Sequence, residues 1–142
     1  MIYQVTAQDY PRLTDVWESS VRRTHDFLKQ EDFEFYKSQM PVYFGSVKLF
    51  AYKDGCGEIR GFLGVAGDKL EMLFVDGASI GRGIGKSLLD FAVCNLKVRK
   101  LDVNEQNRQA VGFYEHQGFA VTGRSDLDGE GKNYPLLHMK LQ

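Results

Sequence analysis

Apolar and polar positions along this chain change period several times, and each change marks an element. Ile2 to Thr6 reads as a first strand. Leu13, Val16, Trp17, Ser20 and Val21 then recur at three- and four-residue steps, the stripe of a helix with one face on a core. Asp9 can cap that helix, Pro11 suits its first turn, and the pattern runs out near Thr24. A second helix is expected from about Glu31, where Glu31, Asp32 and Glu34 suit the N-terminal dipole, with Pro41 and Gly45 closing it. Val47, Leu49 and Ala51 alternate as a strand. Asp54-Gly55-Cys56-Gly57 turns the chain, Glu58 to Ala66 returns, and Gly67-Asp68 turns it again into an apolar run over 70–76. These three strands read as an antiparallel meander.

Beyond that run comes a glycine-rich loop, and then Leu88, Leu89, Phe91, Ala92 and Leu96 mark a helix over 84–97. A short strand follows over Arg99–Val103, and a helix over Asn107–Gln117 ends at Gly118. Phe119 to Thr122 starts another strand. Arg124 to Asn133 reads as a loop, and Tyr134 to Leu141 as the last strand. The order is β-α-α-β-β-β-α-β-α-β-β: an α/β (α+β) chain with a mixed, mostly antiparallel sheet of about seven strands and about four helices. No linker composition or repeat divides it, so residues 1–142 are expected to form a single domain.

Composition narrows the function classes. Apolar content of 43% and charged content of 26% are those of an ordinary soluble globular protein. A formal net charge of −1 provides no field to draw nucleic acid or an anionic membrane. Neither a membrane-length apolar run nor a basic-then-apolar leader is present, which points to a cytoplasmic protein. The two cysteines, Cys56 in a turn and Cys94 on a helix, make neither a metal spacing nor a disulfide framework; Cys94 is expected in the core. No metal is implied.

The chemistry starts at Ile80-Gly81-Arg82-Gly83-Ile84-Gly85-Lys86-Ser87, between a strand and a helix. Glycines at 81, 83 and 85 let the backbone bend tightly and approach a ligand. The helix start that follows leaves backbone N–H groups unpaired at the positive end of the dipole, a setting that attracts phosphate, and Arg82 and Lys86 add full charges. The dinucleotide fingerprint fails, because its third glycine would fall on Lys86. A nucleotide P-loop would end in Gly85-Lys86-Ser87, but its opening glycine would fall on Ile80. A third reading is the pyrophosphate loop of an acetyl-CoA-dependent N-acetyltransferase, with Gly83-Ile84-Gly85 as its glycine end. The plainest alternative is a loop whose glycines only permit a turn.

Downstream residues strengthen the third reading. Asn107-Arg108-Gln109-Ala110-Val111-Gly112-Phe113-Tyr114-Glu115, followed by Gly118-Phe119, resembles the Asn-x-x-Ala-x-x-x-Tyr-x-x-x-Gly-Phe signature of the GNAT superfamily. The element order resembles the GNAT fold over nearly the whole chain. A closer resemblance, to bacterial GNAT proteins whose substrate is not assigned, lies in Thr24-His25-Asp26-Phe27-Leu28, Val103-Asn104-Glu105-Gln106-Asn107 and Thr122-Gly123-Arg124-Ser125. Two positions depart from the family: Ile80 stands where Gln or Arg is frequent, and Gly77 where a proline commonly follows the strand.

The resemblance implies a site. Backbone at Leu73, Phe74 and Val75 would bond the pantetheine arm and polarise the thioester carbonyl. Gly81, Arg82, Gly83, Ile84, Gly85 and Lys86 would hold the pyrophosphate, and Asn107 would contact the pantetheine. Tyr114 would stand near the sulfur as the acid for the departing thiolate; otherwise it is a core aromatic. Glu71 lies where the family often places an acidic residue, a base if it is not simply a solvated strand carboxylate. His25 and Asp26 lie in the connection that borders the acceptor cleft, with histidine titrating in the useful range. Asn104, Glu105, Arg124, Tyr134 and His138 are further candidates whose default is a surface or packing role. The expectation is direct acetyl transfer from acetyl-CoA, as cosubstrate, to a primary amine of a small molecule or peptide by a monomer or homodimer. The rival from another class is a CoA-binding regulatory or sensor module without turnover.

Overall fold

The computed structural model describes residues 1–142. Its elements are β1 (Ile2–Gln4), α1 (Tyr10–Thr24), α2 (Gln30–Gly45), β2 (Lys48–Lys53), β3 (Ile59–Ala66), β4 (Lys69–Val75), α3 (Ile84–Asn95), β5 (Lys100–Asn104), α4 (Arg108–His116), β6 (Phe119–Ser125) and β7 (Leu136–Leu141). Seven strands and four helices follow one another in the expected order. They group into two compact units, Met1–Val98 and Arg99–Gln142.

In the first unit, β1, β2, β3 and β4 lie side by side, each antiparallel to the next, so the meander is present with β1 added at its edge. One face carries Leu49, Ala51, Phe62, Met72 and Phe74. Against it pack Leu13, Val16, Trp17 and Val21 of α1 and Phe33, Met40 and Phe44 of α2. Trp17 stacks on Phe33 at 5.2 Å, and Phe44 meets Phe62 edge-on at 5.8 Å, so large rings weld both helices to the sheet. The other face receives α3. Gly61 makes room there, since a Cβ on it would lie 3.1 Å from both Ile84 and Leu88 side chains.

Three expectations about boundaries and burial change. Pro41 does not close α2; the helix runs through it to Gly45. A proline forfeits one helical hydrogen bond, but Met40 and Phe44 on either side of it are buried and hold the last turn against the sheet. Cys94 is exposed rather than in the core. The buried stripe of α3 is Ile84, Leu88, Leu89 and Ala92, and a residue two beyond Ala92 points away from it. The loop expected from Arg124 starts later, because β6 continues to Ser125, with Arg124 and Ser125 opposite Leu137 and Leu136. Ladder pairing overrides the polar composition there.

The second unit is a three-stranded antiparallel sheet in the order β5-β7-β6. Leu101, Val103, Phe119 and Met139 are buried. On that face lies α4, whose Tyr114 meets Phe119 edge-on with centroids 6.1 Å apart.

At the exit of β4, the Gly77 N–H donates to Ser19 Oγ of α1 at 2.9 Å. A Cβ on Gly77 would sit 2.9 Å from the Ser19 carbonyl oxygen, closer than side-chain carbons come to a backbone oxygen. This contact accounts for the family departure at position 77, since a proline has no N–H to give and would press its ring on the helix. Gly77→Ala should therefore lower unfolding free energy by about 1–3 kcal/mol, the usual range for overpacking. Urea denaturation measures this; an unchanged midpoint would mean that α1 yields freely at this contact.

Candidate active site

The glycine loop is fixed at its base and open at its tip. The Asp76 N–H donates to the Arg60 carbonyl at 2.8 Å and the Ser79 N–H to the Asp76 carbonyl at 2.8 Å, so a short 3-10 turn over Gly77–Ser79 follows the strand. Arg60 bonds Asp54 at 2.8 Å and reaches toward Asp76 at 3.9 Å. Gly81 and Gly83 then take φ of +89° and +82°, backbone that favours glycine, and their missing side chains would meet nothing within 4 Å. Gly83 is the N-cap of α3. Ser87 N–H is the first in the helix to find its carbonyl, that of Gly83 at 3.0 Å. The N–H groups of Ile84, Gly85 and Lys86 bond no protein acceptor and stand as three donors at the positive end of the helix. Lys86 is held by Asp90 at 2.7 Å, while Arg82 is exposed and makes no ion pair. A diphosphate fits this cradle: three free amides, open space above two glycines, and one uncommitted cation.

Leu73, Phe74 and Val75 pair with Leu63, Phe62 and Gly61 of β3. Glu71 lies earlier on β4 and is the extra residue of a β-bulge, since Leu70 faces Val65 and Met72 faces Gly64. Its carboxylate is 3.8 Å from Lys69 Nζ, both groups partly exposed. Around it opens a cleft of about 370 Å³ lined by Tyr43, Ser46, Val47, Ala66 and Met72. From Glu71 to Val75 is four strand residues, about 13 Å.

His25 follows the last turn of α1, at the other end of the first unit. Its Nδ1 is 2.7 Å from Thr24 Oγ1, and that hydroxyl donates its proton to the Ser20 carbonyl at 2.8 Å. Thr24 is therefore the acceptor for His25 Nδ1–H, which leaves Nε2 as an acceptor with no protein partner. Burial lowers the imidazole pKa to about 4, only partly offset by the Asp26 charge, so the ring is neutral at neutral pH. Asp26 is exposed. His25 and Glu71 are not brought together: α2 separates their neighbourhoods, and its sixteen residues span about 24 Å.

In the second unit, Asn107 is the N-cap of α4, its side-chain oxygen accepting from the Ala110 N–H at 3.2 Å. Part of this motif is thus helix capping. Tyr114 is 8% exposed, with its ring against Phe113 at 5.3 Å and Phe119. Burial pushes its phenol pKa well up. Its hydroxyl bonds no protein group, yet is not sealed off, since Arg12 Nε is the one fully enclosed side-chain polar atom without a partner. Of the remaining candidates, Arg124 pairs with Glu105 and Asp126, Tyr134 is buried, and His138 bonds Asp102 and Ser125. Sequence reading missed Ser19, the serine that anchors the base of the loop; only its place one residue off the apolar stripe of α1 marks it.

Comparison with known proteins identifies the family and the fold. Residues 13–142 match the family described as Acetyltransferase (GNAT) domain. A peptidyl-lysine N-acetyltransferase of Salmonella typhimurium, YjaB, is 38% identical over 128 residues, covering 90% of this chain and 88% of that protein. The solution structure of the apo form of YjaB from Escherichia coli superposes with a TM-score of 0.90 at 34% identity, covering 99% of this chain and 95% of that one. PaiA N-acetyltransferase from Thermoplasma acidophilum, solved in complex with coenzyme A, shares the fold, with a TM-score of 0.76 at 20% identity over 100% of this chain and 98% of that one.

The half-buried His25 makes stability depend on pH in a stated direction. Its folded pKa of about 4 lies below the unfolded value of 6.5, so the unfolded chain binds the extra proton. The stability that this adds is complete above pH 6.5 and is lost as pH falls through 4, about 3 kcal/mol at most. Melting temperature between pH 7 and 4 should fall more steeply for the wild type than for His25→Gln; parallel curves would place the imidazole in water.

Proposed function

Because the chain belongs to the GNAT acetyltransferase family, we propose that it transfers acetyl from acetyl-CoA directly to the side-chain amine of a lysine in a peptide or protein. The observation that carries the acceptor is the near full-length similarity to a peptidyl-lysine N-acetyltransferase. It supports the peptide side of the expected small molecule or peptide.

Acetyl-CoA supplies an activated thioester, so the chain has to bind, orient and move protons. The amides of Ile84, Gly85 and Lys86 and the side chain of Arg82 hold the diphosphate, with Gly81 and Gly83 giving the backbone access. Lys86, tied to Asp90, contributes its charge more than a contact. Backbone at Leu73, Phe74 and Val75 orients the pantetheine arm and polarises the carbonyl, and Asn107 contacts that arm with the amide nitrogen its capping bond leaves over. A lysine ammonium must lose a proton before attack, and Glu71, about 13 Å along β4 from Val75 and across α2 from His25, is left outside this step. The neutral His25, through Nε2, and the charged Asp26 steer the ammonium. Tyr114 Oη, kept protonated by burial, gives a hydrogen bond and then its proton at the leaving sulfur.

Incubating the chain with acetyl-CoA and a lysine peptide, a polyamine, or a lysine-free peptide with a free N-terminus tests the acceptor. The lysine peptide should give the highest kcat/KM, with acetyl mapped to Nζ. A higher value for the polyamine or the free N-terminus would overturn the lysine assignment and leave the family intact.

Two variants test the roles. Gly83→Val or Gly85→Val should abolish coenzyme A binding by calorimetry while circular dichroism stays native; unchanged affinity would remove the loop from the site. Tyr114→Phe keeps the ring and its packing. It should lower kcat about 10²–10⁴-fold, equivalent to about 3–5 kcal/mol of barrier, with melting temperature and acetyl-CoA affinity nearly unchanged. A variant with kcat within about twofold of wild type, where chemistry limits the rate, would make Tyr114 a packing residue.

A further inference from the structure

One polar array in the second unit has no part in the amine chemistry above. His138 Nδ1 is 2.6 Å from Asp102 Oδ1, and His138 Nε2 is 2.6 Å from Ser125 Oγ. A carboxylate has only lone pairs to offer at neutral pH, so it takes the Nδ1–H, which leaves Nε2 to accept from the serine hydroxyl. The three side chains come from three strands, β5, β7 and β6. Asp102 faces His138 directly in the ladder, and Ser125 stands opposite Leu136, on the same face as His138.

The backbone puts the serine there by a specific device. Phe119 and Val121 lie opposite Leu141 and Met139, on the face that α4 covers. Simple alternation would carry Gly123 and Ser125 onto that face too. Thr122 is instead an extra residue, so Val121 faces Met139 and Gly123 faces His138, and everything after the bulge changes face. Thr122 Oγ1 secures it by donating to the His138 carbonyl at 3.3 Å. Gly123 leaves the imidazole uncrowded, its missing Cβ falling 3.5 Å from His138 Cδ2. Past the serine, Arg124 is clamped by Glu105 and Asp126, which holds the strand end. The array is reachable, with the side chains of His138 and Asp102 38% and 24% exposed. Because β6 is an edge strand, its outer side faces no further strand.

A serine bonded to a histidine that is itself oriented by an aspartate is the arrangement of an acyl-accepting nucleophile. We propose that Ser125 is such a nucleophile, with His138 as its base and Asp102 as the positioning residue, and that the chain cleaves activated acyl esters and thioesters at this site. Ser125 Oγ bonds the acyl carbon while its proton passes to His138 Nε2. The bond from that carbon to the leaving oxygen or sulfur breaks, and the leaving group departs with the electron pair and takes the proton from the imidazolium. Water, deprotonated by His138, then attacks the acyl-serine; the carboxylic acid leaves and Ser125 is restored. This activity does not rest on the lysine reading and needs no amine.

Two probes test it on the full chain: p-nitrophenyl acetate, read by p-nitrophenolate release, and a fluorophosphonate, read by mass spectrometry of the labelled peptide. The wild type should release p-nitrophenolate faster than the same concentration of free imidazole and carry one phosphonyl group on Ser125. Ser125→Ala should abolish both. His138→Gln and Asp102→Asn should slow labelling about 10²–10⁴-fold, the range for loss of a positioned base or its orienting carboxylate. Circular dichroism separates these losses from unfolding, and the wild-type result decides even if a variant fails to fold. An unlabelled Ser125 in the wild type, or labelling at equal rates in folded His138→Gln, would overturn the proposal and leave the array as a tie between strands.

Discussion

The tie between the Gly77 N–H and Ser19 Oγ is the contact on which the geometry of the first unit turns. It joins the middle of a buried helix to the point where β4 stops and the glycine loop begins. Ser19 sits beside the stripe Leu13, Val16, Trp17, Ser20 and Val21, whose burial fixes the helix on the sheet. The hydrogen bond passes that fixed position to Gly77, and the short turn Gly77–Ser79 passes it on to the loop. Only glycine meets both demands at this position, because the backbone must donate and no Cβ fits. The same helix ends six residues later at His25, so the α1–α2 connection takes its place from the same anchored segment.

The helices and the loop were legible because their signals are local. The α1 stripe recurs in the structure residue for residue, and the glycines at 81 and 83 take the positive φ that their spacing invited. Where the sequence misled, a distant partner had decided the matter. Pro41 is a stop signal on its own, and only the burial of Met40 and Phe44 on the sheet carries the helix past it. Cys94 is apolar enough for a core, but the phase of α3 set by Leu88 and Ala92 turns it outward. Arg124-Ser125 reads as loop until β7 supplies a ladder for it.

Bulges were the least legible feature, and they aim much of the polar chemistry. Arg60, Glu71 and Thr122 are each an extra residue in a ladder. Arg60 is thereby turned to Asp54 and Asp76 at the base of the loop, Glu71 into its cleft, and the segment after Thr122 onto the His138 face. A bulge has no residue signature beyond a break in alternation, and the break can be located only once the partner strand is known. A period-two reading of β6 puts Ser125 on the α4 face; with the partner in view, it lies beside an imidazole. Polar side chains on these strands therefore could be named in advance but not grouped.

The raised phenol pKa of Tyr114 bears on its proposed role in a way the sequence alone could not. In water a phenol, at about 10, is a weaker acid than a thiol, at about 8.5, so proton transfer to a free thiolate is uphill by about 2 kcal/mol. Burial raises the phenol further by penalising its anion. The same surroundings penalise a thiolate formed beside it, so both acids weaken together and the gap between them need not widen. What burial adds is certainty about the ground state, a neutral hydroxyl with its proton in place at any working pH. No protein acceptor competes for that proton, because the ring is packed between Phe113 and Phe119 while the hydroxyl bonds nothing. A donor of this kind is weakly engaged with a neutral thioester sulfur. It strengthens as negative charge collects there, because a low dielectric magnifies the attraction. Its contribution therefore grows along the reaction coordinate, which is the condition for lowering a barrier rather than tightening a complex.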